Sequence, residues 1–149
     1  IIDELEKYLQ LNQKKQQVLL DSTYYIDNTS DSPYAENYSQ KFSSNALDGH
    51  FDVVLSDVTN FDFYGNQGFF QDLTTIFSKE ELAAYEDRLY YLDLPNDDSD
   101  HMVPIGIKIN TSAKIRQTSC YPNHDAYYGI MKDSKRVDAA LHFFYYIEH

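Results

Sequence analysis

The sequence holds a single cysteine, Cys120, and no tryptophan among its 149 residues. A lone thiol excludes an internal disulfide and any metal site built on paired cysteines. Cations are scarce too: 12 Lys and Arg stand against 24 Asp and Glu, a formal net charge of −12. That balance argues against nucleic acid and against docking on anionic lipid, because both present negative charge to the protein. No apolar run approaches the ~20 residues of a membrane span. Internal repeats and low-complexity tracts are lacking as well.

What is present fits one globular domain of residues 1–149. Hydrophobic residues make up 42% of the chain, with 14 Tyr and 9 Phe. Tyrosine, apolar in the ring and polar at the tip, suits half-buried faces and binding surfaces. Residues 3–11 carry Leu5, Tyr8 and Leu9 at helical spacing behind a capping Asp3. Residues 17–26, rich in β-branched and aromatic side chains, read as a strand. Ser32-Pro33 starts a helix whose face is Tyr34, Ala35, Tyr38, Phe42 and Ala46, and Asp48-Gly49 ends it. Residues 51–55 are a short apolar run, the pattern of a central, buried, parallel strand. Residues 61–64 suggest one helical turn. Ser78 and Glu81 form a capping box, with Phe77 and Leu82 placed as its hydrophobic staple. Leu82, Tyr85 and Leu89 continue that helix.

Residues 102–109 read as a strand in which Pro104 and Gly106 imply an edge, a bulge or a bend. Residues 110–125 look irregular, and 126–131 form another strand. A last amphipathic helix, opened by Asp133-Ser134, carries Val137, Ala140, Leu141, Phe144 and Tyr145. Helices alternating with strands imply an α/β three-layer sandwich: a mostly parallel sheet with helices on both faces.

Motifs for chemistry are sparse. Asp93, Asp97, Asp98 and Asp100 crowd one loop, but the calcium-loop spacing fails, since Val103 and Ile109 stand where Gly and Glu belong. His50, His101, His124, His142 and His149 form no paired zinc motif. Cys120 and His124 share a loop without any signature of an oxyanion site. Gly65-Asn66-Gln67-Gly68 lacks the Lys-Ser/Thr tail of a phosphate loop. Asp52 and Asp57 flank the 51–55 strand. Asp57 lies at its carboxyl end, where it serves either as a helix cap or as a ligand contact. No cofactor and no metal are expected.

Three phrases together resemble a family. Phe51-Asp52-Val53-Val54-Leu55-Ser56-Asp57, followed by Phe61, Tyr64, Gly68, Phe69, Phe70, Asp72 and Leu73, is similar to a strand–helix–loop segment of the extracellular solute-binding proteins of bacterial ABC importers. Met102-Val103-Pro104-Ile105-Gly106-Ile107 looks like the strand that leaves the first lobe of those proteins. Tyr128-Gly129-Ile130-Met131-Lys132-Asp133-Ser134-Lys135, with the helix after it, resembles the segment that returns. The resemblance implies a single periplasmic-binding-protein-like lobe, extracytoplasmic and held at the cell surface. Its export or anchor segment would lie before Ile1. In the family a whole second lobe separates the outgoing and returning strands, whereas here only residues 110–125 intervene.

The leading expectation is therefore a non-enzymatic binding module for a small polar ligand, a peptide or a protein partner. Its candidate contacts are Asp57, Asn60, Tyr64, Lys108 and Asn110, with Tyr24 and Tyr25 as stacking surfaces. Two alternatives stand beside it. One is a structural or interaction lobe with no small ligand, open to homodimerisation through its tyrosines. The other is a small hydrolase using Cys120 or the carboxylates.

Overall fold

A computed structural model describes residues 2–93 and 102–149. Helices α1 (Ile2–Tyr8) and α2 (Pro33–Leu47) precede strand β1 (Val53–Asp57) and helix α3 (Val58–Asn66). A single 3-10 turn (Leu73–Thr75), helix α4 (Lys79–Ala84) and a second 3-10 turn lead to β2 (Leu89–Leu92). Then follow β3 (Val103–Lys108), α5 (Ala113–Thr118), β4 (Ala126–Ile130) and α6 (Val137–Glu148). Ser32 caps α2, and the Ser78–Glu81 capping box is fully formed. Gly49, with φ +71°, takes the left-handed conformation that closes α2, its N–H bonded to Ala46 O.

The four strands form one sheet in the order β1-β4-β3-β2, and every pairing is antiparallel. The expected mostly parallel sheet, and with it the expected fold of a periplasmic-binding-protein-like lobe, is thereby overturned. The reason lies in the connections. Asp57 faces Ala126, Ile107 faces Tyr128, and Leu89 faces Ile107, so β1 and β3 end where β4 and β2 begin. After β1 the chain runs back along α3 and forward again through α4. It therefore enters β2 from the end at which it left β1, without a single parallel crossover. Strand β1, expected to be central, is an edge strand and only half-buried. Strand β2, expected as helix, begins at Leu89 because α4 stops at Ala84. Residues 17–26, expected as a strand, join no sheet, and residues 110–125 contain the short helix α5.

Two cores lie against the sheet. Tyr128 and Ile130 of β4 pack with Leu73, Phe77, Ala140 and Phe144 in one. The other gathers Phe42, Phe61, Tyr64, Phe70 and Ile105, with Tyr127 at its border. Alternate residues of β4 thus serve opposite faces. In the second core the Phe61 ring rests on two glycines. A Cβ at Gly106 would come within 2.5 Å of Phe61, and one at Gly129 within 2.7 Å. Strand β3 bulges opposite Tyr90 and Tyr91, leaving Ile105 as the extra residue. The bulge that Pro104 and Gly106 implied is present, on an inner strand rather than an edge. Among the described residues no helix is long and apolar enough to cross a membrane.

Candidate binding site

Four of the seven expected contact residues meet at one end of the sheet. Asp57 closes β1 opposite Ala126, and Lys108 closes β3 opposite Tyr127. Asn110 donates to His124 O (2.7 Å) and accepts from the Ala126 N–H (2.6 Å), standing in for a strand partner at the start of β4. Asn60 sits on the first turn of α3, beside Asp57.

Their side chains are mostly committed to architecture. Asp57 is a cap: Oδ1 accepts from Asn60 N (3.0 Å) and Oδ2 from Asn60 Nδ2 (3.1 Å). That amide also donates to Ile26 O (3.2 Å), while Asn60 Oδ1 accepts from Asn28 Nδ2 (2.8 Å). The pair therefore ties the 26–28 segment to the head of α3.

Tyr64, Tyr24 and Tyr25 lie elsewhere. Tyr64 is buried, its ring 4.5 Å from Phe42 and its hydroxyl 2.9 Å from Ser39 Oγ, and burial raises its pKa. Tyr24 accepts from Asn45 Nδ2 (2.7 Å) and stands edge-on to Phe42 and Phe51. Tyr25 is exposed. A shared stacking surface of Tyr24 and Tyr25 with Asp57 does not form, because Tyr24 serves the core.

The end of the sheet also presents residues that the sequence did not single out. Tyr127 lies directly across from Lys108 and from Ser56, so the three share the α3 side of the sheet. Its ring packs 5.1 Å from Tyr90 and 5.6 Å from Phe61. Tyr90 donates to Asp62 Oδ1 (2.6 Å), and burial, followed by that bond, raises its pKa. Lys108 Nζ lies 2.6 Å from Asp125 Oδ1, a bond that holds the ammonium protonated. Burial and the Asp125 charge push the Tyr127 hydroxyl up, so it is a neutral donor and acceptor at ordinary pH. The only hint in the sequence was the Tyr127-Tyr128 pair, which in a strand sends one ring to each face.

The result is a small shelf of the Tyr127 phenol, the Lys108–Asp125 pair and the Tyr90 ring, lying over the fully buried Phe61. It presents donors, acceptors and a ring edge. Cys120 is exposed, its thiol directed at Thr118 O (3.7 Å). Among the described residues no hydrogen bond joins Cys120 to His124, and no three His, Cys, Asp or Glu side chains are placed to hold a metal. Asp97, Asp98, Asp100 and His101 lie outside the described residues. Comparison with protein-family models, with curated proteins and with solved structures returns no match.

Proposed function

We propose that the chain is a non-enzymatic, extracytoplasmic binding module, held at the cell surface, that takes a polar ligand or a peptide segment on the Tyr127–Lys108–Asp125 shelf. The observation that carries this reading is the convergence of Asp57, Asn60, Lys108 and Asn110 at one end of the sheet. There β3 leaves, β4 returns, and residues 109–125 join them. The net charge of −12 favours ligands bearing a cationic group.

The test is a thermal-shift screen with free amino acids, dipeptides, small sugars and polyamines, run on the wild type, Tyr127→Ala and Lys108→Ala. A compound that stabilises the wild type and neither variant supports the shelf. Equal stabilisation of all three proteins places the site elsewhere and overturns the reading.

A second reading, an interaction lobe with no small ligand, is favoured by exposed apolar side chains. Leu19 is 79% exposed and Leu20 71%, with Tyr25 and Tyr34 also largely free. Sedimentation over a range of concentrations tests its homodimer version, which a strict monomer removes.

A further inference from the structure

The two edges of the sheet differ. On β1 the Tyr121 hydroxyl donates to Leu55 O (2.9 Å), so a side chain already covers the outer edge. On β2, the other edge, the ladder decides which groups point outward. Ile109 N–H donates to Ala126 O (2.9 Å), so Ile109 and, by alternation, Ile107 face β4. Lys108 and Gly106 then face β2, in agreement with the bond from Arg88 Nη1 to Lys108 O (3.4 Å). Gly106 pairs with Tyr90, which turns Tyr90 inward and the amides and carbonyls of Leu89 and Tyr91 outward. Among the described residues no further strand pairs with β2 and no loop backbone bonds to these four groups.

An open edge is a template for an added strand. The charge around β2 selects which strand. Asp87 and Asp93, both exposed, precede and follow β2 in the chain. Exposed Glu86 accepts from the Tyr91 hydroxyl (3.3 Å), and Asp62 accepts from the Tyr90 hydroxyl (2.6 Å). Tyr90 packs in the core beneath α3, so by alternation the two tyrosines carry these carboxylates to opposite faces of the strand. Among the described residues no cation pairs with any of the four, because Arg88 is held by Glu148 (2.6 Å). An antiparallel pairing of β2 with β2 of a second copy would bring like carboxylates together, in chains of net charge −12. A strand bearing Lys or Arg meets the same groups as attraction.

We propose that the outer edge of β2 is a docking site for an extended, lysine- or arginine-rich peptide segment of a partner protein, which adds to the sheet as a fifth strand on Leu89 and Tyr91. The backbone groups of these two residues supply the seat, and the surrounding carboxylates supply the selectivity. A strand of four residues offers few ladder bonds, so the charge carries much of the discrimination. The site stands apart from the Tyr127–Lys108–Asp125 shelf and does not depend on it.

Amide hydrogen exchange on the full chain tests the proposal, with the acetylated and amidated peptide Thr-Lys-Val-Lys-Thr-Lys as probe. At saturating peptide the Leu89 and Tyr91 amides are expected to exchange at least about tenfold more slowly, while the Tyr90 amide, already paired with Gly106, stays unchanged. The same peptide N-methylated at every amide keeps its charge, loses its ladder donors, and is expected to protect neither residue. Glu86→Gln with Asp87→Asn and Asp93→Asn is expected to weaken binding at least about tenfold. No protection at millimolar peptide would overturn the proposal, as would equal binding of the N-methylated probe or of a probe with Glu in place of Lys. Protection that appears without peptide and fades on dilution would make the occupant a second copy and overturn it too. Loss of binding in Tyr127→Ala would place the peptide on the shelf instead, whereas unchanged binding in that variant supports the β2 edge.

Discussion

The two faces of the sheet are packed by opposite means. Toward α6 the strands supply bulk: Tyr128 reaches from β4 and donates its hydroxyl to Ala140 O (2.7 Å), and its ring lies 5.1 Å from Phe144. Toward α3 the inner strands β3 and β4 supply emptiness beneath Phe61: Gly106 and Gly129 leave a seat that its ring fills, stacked 4.3 Å from Phe70, while the edge strand β2 reaches α3 through Tyr90 and Asp62. A side chain rising from a strand fixes a helix through its tip, whereas a ring lowered onto glycines fixes it through contact area alone. The first face should therefore be sensitive to lost polar atoms. The second should be sensitive to lost carbon in the helix and to added carbon in the sheet.

The sharpest way to break this contrast is a mutant cycle on the α3 side. Phe61→Ala is expected to cost about 3–5 kcal/mol, the range for emptying a buried aromatic site. Gly129→Ala is expected to cost about 1–3 kcal/mol by overpacking. That cost should shrink in part in a Phe61→Leu background, because the two nearest of the three clashing atoms belong to the Phe61 ring and the third to Phe70. Denaturant unfolding of the single and double variants checks it, and strictly additive costs would mean that Gly129 is not a seat for Phe61.

Next in size is Tyr128→Phe, which removes one hydroxyl and leaves Ala140 O without that partner. About 1–3 kcal/mol is expected from the same unfolding measurement. A neutral outcome would show that the tip of Tyr128 does not hold α6.

The smallest effect concerns pH. Tyr145 donates to Glu81, the carboxylate of the capping box. The Tyr145 bond, then the Ser78 amide, lowers the Glu81 pKa. This contribution is present above the ordinary carboxyl value of 4.5 and is lost as pH falls below it. Burial, then Glu81, pushes Tyr145 up to about 12, so its contribution is full below 10 and fades as pH rises from there toward 12. Urea midpoints should therefore fall on both flanks, and Tyr145→Phe should flatten a part of each.

Much of the local structure was legible in the sequence because local chemistry decides it. The Ser78–Glu81 box, the Ser32-Pro33 start of α2 and the apolar runs of β3 and β4 need no knowledge of the rest of the chain. Strand direction was not legible, because an apolar run of five residues shows that a strand is buried and not which neighbour it meets. Leu89 illustrates the limit: it continues the helical spacing of Leu82 and Tyr85, yet it starts β2. At the shelf, Asp57 was readable only as a choice between cap and contact, and the structure settles its capping bonds. Tyr127 escaped notice because its polar neighbours, Lys108 and Ser56, meet it only through pairing across the sheet.

The bulge in β3 makes that strand change sides. Val103 and Ile105 enter the core beneath α3, while Ile107 and Ile109 enter the opposite one, although all four are odd-numbered. Parity is therefore not conserved along β3. A combinatorial library that spared every second residue to protect one core would strike the other midway along the strand. Shortening β3 by one residue at the bulge would re-sort these positions between the two cores, a larger change than any single substitution in the strand could cause.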